Sequence, residues 1–127
     1  MNFETFNEFC AGLPVSNHVI QWGGAHVWKV DTKLFAIGGW QESDEPAFTF
    51  KVTDIAYEVL KDMPGLRPAP YLASRGMKWI QHYALPGLSD EELRRHIQYS
   101  HEMVSKKLAK KRQKELGLNQ EDAPSSP

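Results

Sequence analysis

The sequence predicts an α+β fold in which helices pack on one face of an antiparallel β-sheet. Three observations support this class. Residues 17–52 contain a succession of short strand-like runs, residues 2–13 before them have helical spacing, and two further helical patterns follow. A single curved sheet with helices on one face is the simplest way to bury these apolar stripes.

The first helix is predicted over residues 2–13. Asn2 is its expected N-cap, and Gly12 and Pro14 end it. One face of this helix should pack on the sheet, because its apolar residues recur at helical spacing. They are Phe3, Phe6, Phe9, Cys10 and Leu13.

Four strands rich in β-branched and aromatic residues are predicted next. They are His18–Trp22, His26–Val30, Leu34–Ile37 and Ala47–Val52. The turns between them contain glycine pairs or polar residues, and this combination predicts successive antiparallel hairpins.

A second helix is predicted over Asp54–Met63, with Thr53 as its cap. Pro64 and Gly65 end it. Its spacing predicts a buried apolar stripe. The residues of this stripe are Ile55, Ala56, Val59, Leu60 and Met63.

A connection rich in proline, aromatic and basic residues follows. Pro68 and Pro70 should hold it extended, and Lys78–Tyr83 is predicted to be the last strand. Residues 89–92 form a capping box that begins a long final helix. This helix is expected to bury Leu93, Ile97, Val104 and Leu108.

The length and composition predict one domain, residues 1–116, followed by a disordered tail, residues 117–127. The chain has 127 residues, of which 41% are apolar and 24% charged, as is ordinary for a globular protein. One cysteine, Cys10, excludes an internal disulfide, and no apolar run is long enough for a membrane helix. Since the N-terminal stretch lacks the basic region of a secretory signal, we expect a cytoplasmic protein.

Positive charge is concentrated near the C-terminus, although the net charge is -1. Residues 104–116 contain five lysines and one arginine against one glutamate. Such a concentration of positive charge indicates either an interaction surface or a solvated helix end whose cations complement the helix dipole.

A series of short segments matches a known family in order and spacing. The segments are Trp22-Gly23-Gly24, Val27–Val30, Lys33–Ala36, Phe50–Val52, Pro64–Pro68, Lys78-Trp79 and Leu88–Leu93, with Ser100, Val104 and Leu108. Over about residues 3–116 the chain thereby resembles the MmcQ/YjbR-like family. The resemblance implies a frataxin-like two-layer sandwich and a role often described as DNA-binding. Relatives commonly have a basic segment with histidines before the last strand, whereas Tyr71–Trp79 contains none, so a metal or acid–base role of those histidines does not transfer.

No motif in the sequence predicts catalysis, a metal or a cofactor. Cys10 lies on the apolar stripe of the first helix, where a buried thiol is inert. No nucleophile elbow, P-loop or dinucleotide motif follows a strand. The histidines lack metal-ligand spacing, and His96 and His101 point in different directions on the last helix. We therefore expect a non-enzymatic protein with no catalytic residue, metal or cofactor.

Nucleic-acid binding is the main functional hypothesis, because cations contact phosphates and exposed aromatic rings stack on bases. DNA affinity should be low and sensitive to salt, since the rest of the chain is acidic. The hypothesis of a DNA-binding or regulatory accessory protein requires the candidate cations to share one surface. The candidate residues are Arg67, Tyr71, Arg75, Lys78, Lys106, Lys107, Lys110 and Lys111.

The alternative is a module that binds a small molecule or a protein and has no nucleic-acid role. Its candidate pocket is formed by Trp22, Trp28 and Trp40. Trp79 is expected in the core, because large aromatic residues on strands are usually buried. The residues alone leave both functions open.

Overall fold

The computed structural model of the protein describes residues 1–41, 45–72 and 76–120. Within these ranges, six antiparallel strands form one sheet that is accompanied by four helices, none of them long and apolar enough to span a membrane. The strands are β1 (Ser16–Gln21), β2 (Ala25–Val30), β3 (Lys33–Gly38), β4 (Phe48–Lys51), β5 (Leu66–Pro68) and β6 (Trp79–His82). The helices are α1 (Phe3–Ala11), α2 (Asp54–Leu60), α3 (Asp90–Ser105) and α4 (Lys110–Leu116). The predicted α+β class is confirmed, with strand order β1-β2-β3-β4-β6-β5.

Side-chain caps begin α1 and α3 where the sequence predicts them. The Asn2 side chain accepts a hydrogen bond from the Thr5 amide at 2.8 Å. Ser89 and Glu92 form the predicted reciprocal capping box. Each cap satisfies amide groups that have no partner inside the helix.

One face of the sheet, the helix-covered face, holds the main core. Directly paired side chains of an antiparallel sheet share a face. Ser100 fixes α3 to this face, because its hydroxyl donates to the Phe35 carbonyl at 2.6 Å and accepts from the Lys51 amide at 2.9 Å. A row of paired, buried residues crosses four strands here and consists of Trp28, Ala36, Phe50 and Ile80.

The opposite face carries a row of paired residues that changes from apolar to polar across the sheet. In strand order from β1 to β5, this row is Val19, Val27, Ile37, Thr49, Gln81 and Arg67. A second, smaller core lies on the apolar half, where Leu34, Trp40 and Leu72 pack against the buried strand residues. The polar half ends with a cation at the edge strand β5.

The predicted burial of the α2 stripe is wrong for two of its residues. Ile55 is 81% exposed and Val59 is 63% exposed. Leu60 is buried, and Ala56 and Met63 are partly buried against the core. Because α2 lies over β5 and β6 at one edge of the sheet, the core covers only one side of this short helix.

The sequence did not predict β5, which begins the proline-rich connection. Pro68 pairs with Ile80 in this strand. Because β5 is at the edge of the sheet, a residue without an amide proton is tolerated there. The connection is extended at this point, as the prolines predict.

The final helical segment is divided in two, whereas the sequence predicted one long helix. α3 ends at Ser105 and α4 begins at Lys110. The buried side chain of Gln113 donates to the carbonyl oxygens of Leu108 and Lys106, at 2.7 and 3.3 Å. These hydrogen bonds satisfy backbone groups at the break and stabilise the return of the chain.

The chain remains packed beyond residue 116, where the predicted domain ends. Leu118 is buried in the main core. Asn119 donates to Gln113 Oε1 at 2.9 Å and to Ser105 Oγ at 3.1 Å. Residues 117–120 therefore belong with the domain, and the rest of the predicted tail lies outside the described residues.

Candidate ligand-binding cleft

A cleft lined by aromatic side chains lies where β1 and β3 end. Trp22, Trp40 and Pro70 line two adjoining depressions with volumes of about 820 and 540 Å³. Arg67 lines the larger depression and Tyr71 the smaller one. We call these five residues the aromatic cleft, and the sheet face that bears Arg67 the cleft face.

The half-buried ring of Trp40 contacts the other two aromatic rings of the cleft, and those two rings remain accessible. The ring centroids of Trp22 and Trp40 are 5.4 Å apart, and those of Trp40 and Tyr71 are 6.3 Å apart. Trp22 is 54% exposed and Tyr71 is 64% exposed. Aromatic pairs at such distances attract one another, and their exposed faces can stack on a planar ligand.

All three aromatic residues have a left-handed backbone conformation. The φ angles of Trp22, Trp40 and Tyr71 are 50°, 68° and 73°. Apart from glycine, mainly asparagine and aspartate use this region, and it costs a bulky residue on the order of 1 kcal/mol. Strain of this kind concentrates at functional sites.

Trp22 occupies a turn position that favours another residue type. In the loop between β1 and β2, Trp22, Gly23 and Gly24 all have positive φ, and the Gly24 amide donates to the Gln21 carbonyl at 3.2 Å. Apart from glycine, asparagine and aspartate adopt positive φ most readily in such turns. Tryptophan is disfavoured at such a position, and here its large ring lies at the mouth of the cleft.

Arg67 is held beside the cleft by two contacts. Its Nε donates to Oε1 of Gln81 at 2.9 Å, and its guanidinium carbon lies 4.4 Å from the centre of the Tyr83 ring. Gln81 is fully buried, and its Nε2 donates to the backbone oxygen of Trp40 at 3.2 Å. One buried side chain therefore connects the cation of the cleft to one of its aromatic walls.

Comparison with known families agrees with this architecture. The model of the YjbR family matches residues 11–103. The chain belongs to the YjbR family. The resemblance noted in the sequence is thereby confirmed.

Solved structures share the YjbR fold at low sequence identity. The Deinococcus radiodurans protein DR2400, described as a DUF419 domain, is 23% identical with a TM-score of 0.79, over 92% of this chain and 88% of its own. A Pseudomonas syringae protein is 18% identical with a TM-score of 0.66, over 82% of this chain and 99% of its own. No curated protein matches the sequence.

The cations predicted to bind nucleic acid do not form one surface in this YjbR protein. Arg67 lies on the cleft face, whereas Lys106 lines a groove between α2 and α3 on the other side of the sheet. Lys78 lies beside α2, with its Nζ 4.6 Å from the centre of the Tyr57 ring. Arg75 lies outside the described residues.

The remaining predicted cations collect near the junction of α3 and α4. Lys107, Lys110 and Lys111 are exposed there. Lys51 lines the same groove as Lys106, and its pKa is lowered by burial and, to a smaller extent, by the positive charge of Lys107. We call Lys51, Lys106, Lys107, Lys110 and Lys111 the basic end.

Two of the three tryptophans predicted to form a pocket line the cleft, and the third does not. Trp28 is 5% exposed, and its Nε1 donates to the Asn7 side chain on the helix-covered face at 2.8 Å. Trp79 is buried, as predicted. Cys10 is also buried, and burial raises the pKa of its thiol, as expected of an inert cysteine.

Sequence reasoning missed Gln81. Nothing distinguishes it within its strand, because its role depends on the pairing of β6 with β5, which brings it beside Arg67. A signal for the cleft was present at Trp22-Gly23-Gly24, where a bulky ring stands at a turn that favours a small polar residue.

Proposed function

We propose that this protein is a non-enzymatic binding module that holds a small planar ligand in the aromatic cleft. The observation that carries the proposal is the left-handed backbone of Trp22, Trp40 and Tyr71. Trp22 and Tyr71 are more than half exposed, so burial of their rings adds little stability to the fold. Two strained and accessible aromatics beside a third strained one favour a functional reason over a packing reason.

The dimensions and chemistry of the cleft fit this role. Small-molecule sites usually enclose about 300–1,000 Å³, are lined mainly by apolar and aromatic groups, and contain a few polar side chains that fix orientation. The larger depression, of about 820 Å³, has tryptophan walls and Arg67 as a cation. A ring stacked between the aromatic side chains would have that cation beside it.

We also propose a cytoplasmic location. The single cysteine is buried in α1, and an unpaired structural thiol is ordinary in a reducing compartment. Fractionation of cells that produce the tagged protein tests this location, and recovery outside the cytoplasm would contradict it.

Titration of the isotope-labelled protein with indole and with adenosine, followed by NMR, tests ligand binding. The side-chain N–H signals of Trp22 and Trp40 should shift with saturation. Those of Trp28 and Trp79, which are buried and line neither depression, should stay in place and serve as internal controls. If neither ring produces saturable shifts at millimolar concentration, the proposal is wrong.

Trp22→Asn separates binding from stability. Asparagine suits the turn, so stability should be unchanged or higher by up to about 1 kcal/mol, while ring binding should be lost. Val15→Asn is a matched control, because Val15 also has positive φ and is 36% exposed, yet it does not line the cleft. Thermal denaturation and the same titrations measure both effects, and unchanged indole affinity in Trp22→Asn would contradict the proposal.

Nucleic-acid binding is a second candidate function, favoured by the proximity of lysines at the basic end. Fluorescence anisotropy with labelled single- and double-stranded oligonucleotides, at about 50 mM salt, measures it. Replacement of Lys106, Lys107, Lys110 and Lys111 by glutamine should abolish binding, whereas Trp22→Asn should not. No anisotropy change at this salt concentration would remove the candidate.

A further inference from the structure

The described residues orient the guanidinium of Arg67 through one of its donors. A guanidinium has five N–H donors in a planar fork. Within the described residues, the only one that makes a hydrogen bond is the Nε–H, and the group forms no ion pair there. These terminal N–H groups belong to a residue that lines the larger depression, and no described residue accepts a hydrogen bond from them.

The orientation of Arg67 depends on a buried polar side chain. Gln81 is 0% exposed, and both ends of its amide are used, by Arg67 Nε and by the Trp40 carbonyl. Buried amides are retained where their hydrogen bonds are satisfied, and these two bonds leave Gln81 with one orientation. The stack of Arg67 on the Tyr83 ring restricts the guanidinium from a second side.

We infer that the ligand of the aromatic cleft is a planar acid, whose carboxylate or phosphate is bound by Arg67, and that Gln81 is the positioning residue for the guanidinium. This inference rests on the proposed function. Because the guanidinium is held at Nε, its terminal N–H groups point in one direction and can donate to the two oxygens of a carboxylate or phosphate. A cation fixed in this way loses little conformational freedom when the acid binds.

The position of Arg67 relative to the tryptophans defines the shape of the ligand. Trp22, Trp40 and Arg67 line the same depression, so the acid must be attached to the ring or separated from it by a short link. Glu45 lines this depression too, and it is engaged in other contacts within the protein. Because the depression is lined by an acidic as well as a basic residue, a planar amine is the probe of opposite charge with which the acid is compared.

Paired probes that share a ring and differ in charge test the inference. NMR titrations should compare indole-3-acetate with tryptamine, and adenosine monophosphate with adenosine. Each acid should bind about ten-fold more tightly than its partner, the gain expected from a charge-assisted hydrogen bond to arginine. Preference within the indole pair identifies a carboxylate, preference within the adenosine pair identifies a phosphate, and either result supports the inference.

Variants assign the preference to named residues. Arg67→Gln should abolish the preference for the acid, measured as the ratio of indole-3-acetate to tryptamine affinity, because the two probes share the same ring and differ in the charge that Arg67 contacts. Arg94→Gln removes an exposed arginine on α3 and should not change this ratio. Gln81→Leu should reduce the ratio of acid to amine affinity, a readout that general destabilisation would not move. If Gln81→Leu does not fold, Gln81→Met provides the same test with a flexible side chain.

The outcomes separate the inference from the proposed function. If indole and adenosine bind but the acids gain nothing, the assignment of a planar acid is wrong and the binding module stands. If no probe binds, both are wrong. An acid preference that survives Arg67→Gln would overturn the role of this residue, and one that survives Gln81→Leu would overturn its positioning by Gln81.

Discussion

The helix-covered face and the cleft face use aromatic residues in different ways. On the helix-covered face, Phe48 and Phe50 are buried. At the aromatic cleft, Trp22 and Tyr71 are more than half exposed and have a left-handed backbone. The same class of side chain therefore serves packing on one side of the sheet and remains accessible on the other.

This difference indicates how stability and binding are divided within the molecule. Burial of apolar area is the main source of stability, and it is concentrated where α1 and α3 meet the sheet. The cleft retains accessible rings in conformations that local propensity disfavours. Substitutions on the helix-covered face should hence change the free energy of unfolding, and substitutions in the cleft should change affinity.

The largest effect is expected for Phe50→Ala. Phe50 is fully buried between the sheet and α3, where its ring stacks on His96, so its truncation should lower the free energy of unfolding by about 3–5 kcal/mol. Urea denaturation measures this loss, with Trp22→Asn as the comparison from the cleft. Equal losses in the two variants would remove the distinction between the faces.

Acid should destabilise the helix-covered face by an intermediate amount. Burial lowers the pKa of His82, His96 and His101 below the ordinary value of 6.5. At a pH between the lowered and the ordinary pKa, the unfolded chain binds protons that the folded chain does not. The stability that the neutral histidines allow is therefore fully present above about pH 6.5 and declines as the pH falls below it.

Thermal denaturation between about pH 7.5 and pH 5 tests this expectation, since carboxyl groups titrate mainly below that range. The Tm should fall with acidification, and His96→Phe should reduce the slope, because it removes one of the titrating groups. Indole affinity should change little while the protein stays folded. A Tm independent of pH across this range would show that these histidines do not couple to folding.

The smallest effect is expected on the outer side of α2. Ile55→Gln and Val59→Gln should each change the free energy of unfolding by less than about 0.5 kcal/mol, because both side chains are already largely exposed. Leu60→Gln is the control from the same helix, and its burial predicts a much larger loss. Substantial destabilisation by Ile55→Gln would mean that this side of the helix is covered in solution.

Much of the fold follows from local patterns. The caps at Asn2 and Ser89, the alternation in β4 and the glycine pairs place the first helix, the hairpins and the start of α3 within a few residues of their observed bounds. What the patterns could not supply is position within the sheet. The exposure of Ile55 and the proline-containing strand β5 both depend on lying at its edge.

The cleft was predictable as a set of residues but not as one site. Trp22 and Trp40 were candidates for a pocket, while Arg67 and Tyr71 were candidates for nucleic-acid contacts. Their meeting depends on the pairing of β6 with β5 and on the course of the proline-rich connection, which bring together positions distant in sequence. The spacing of residues along the chain does not predict such long-range contacts.

The side-chain amide of Gln81 joins two recognition elements, Arg67 and Trp40, that are distant from each other in sequence. Because it bonds both Arg67 and the backbone of Trp40, a displacement of either wall is transmitted to the other. A ring fragment and an acid fragment added as separate molecules would therefore assist each other's binding, and a ligand that contains both would exceed the sum of its parts.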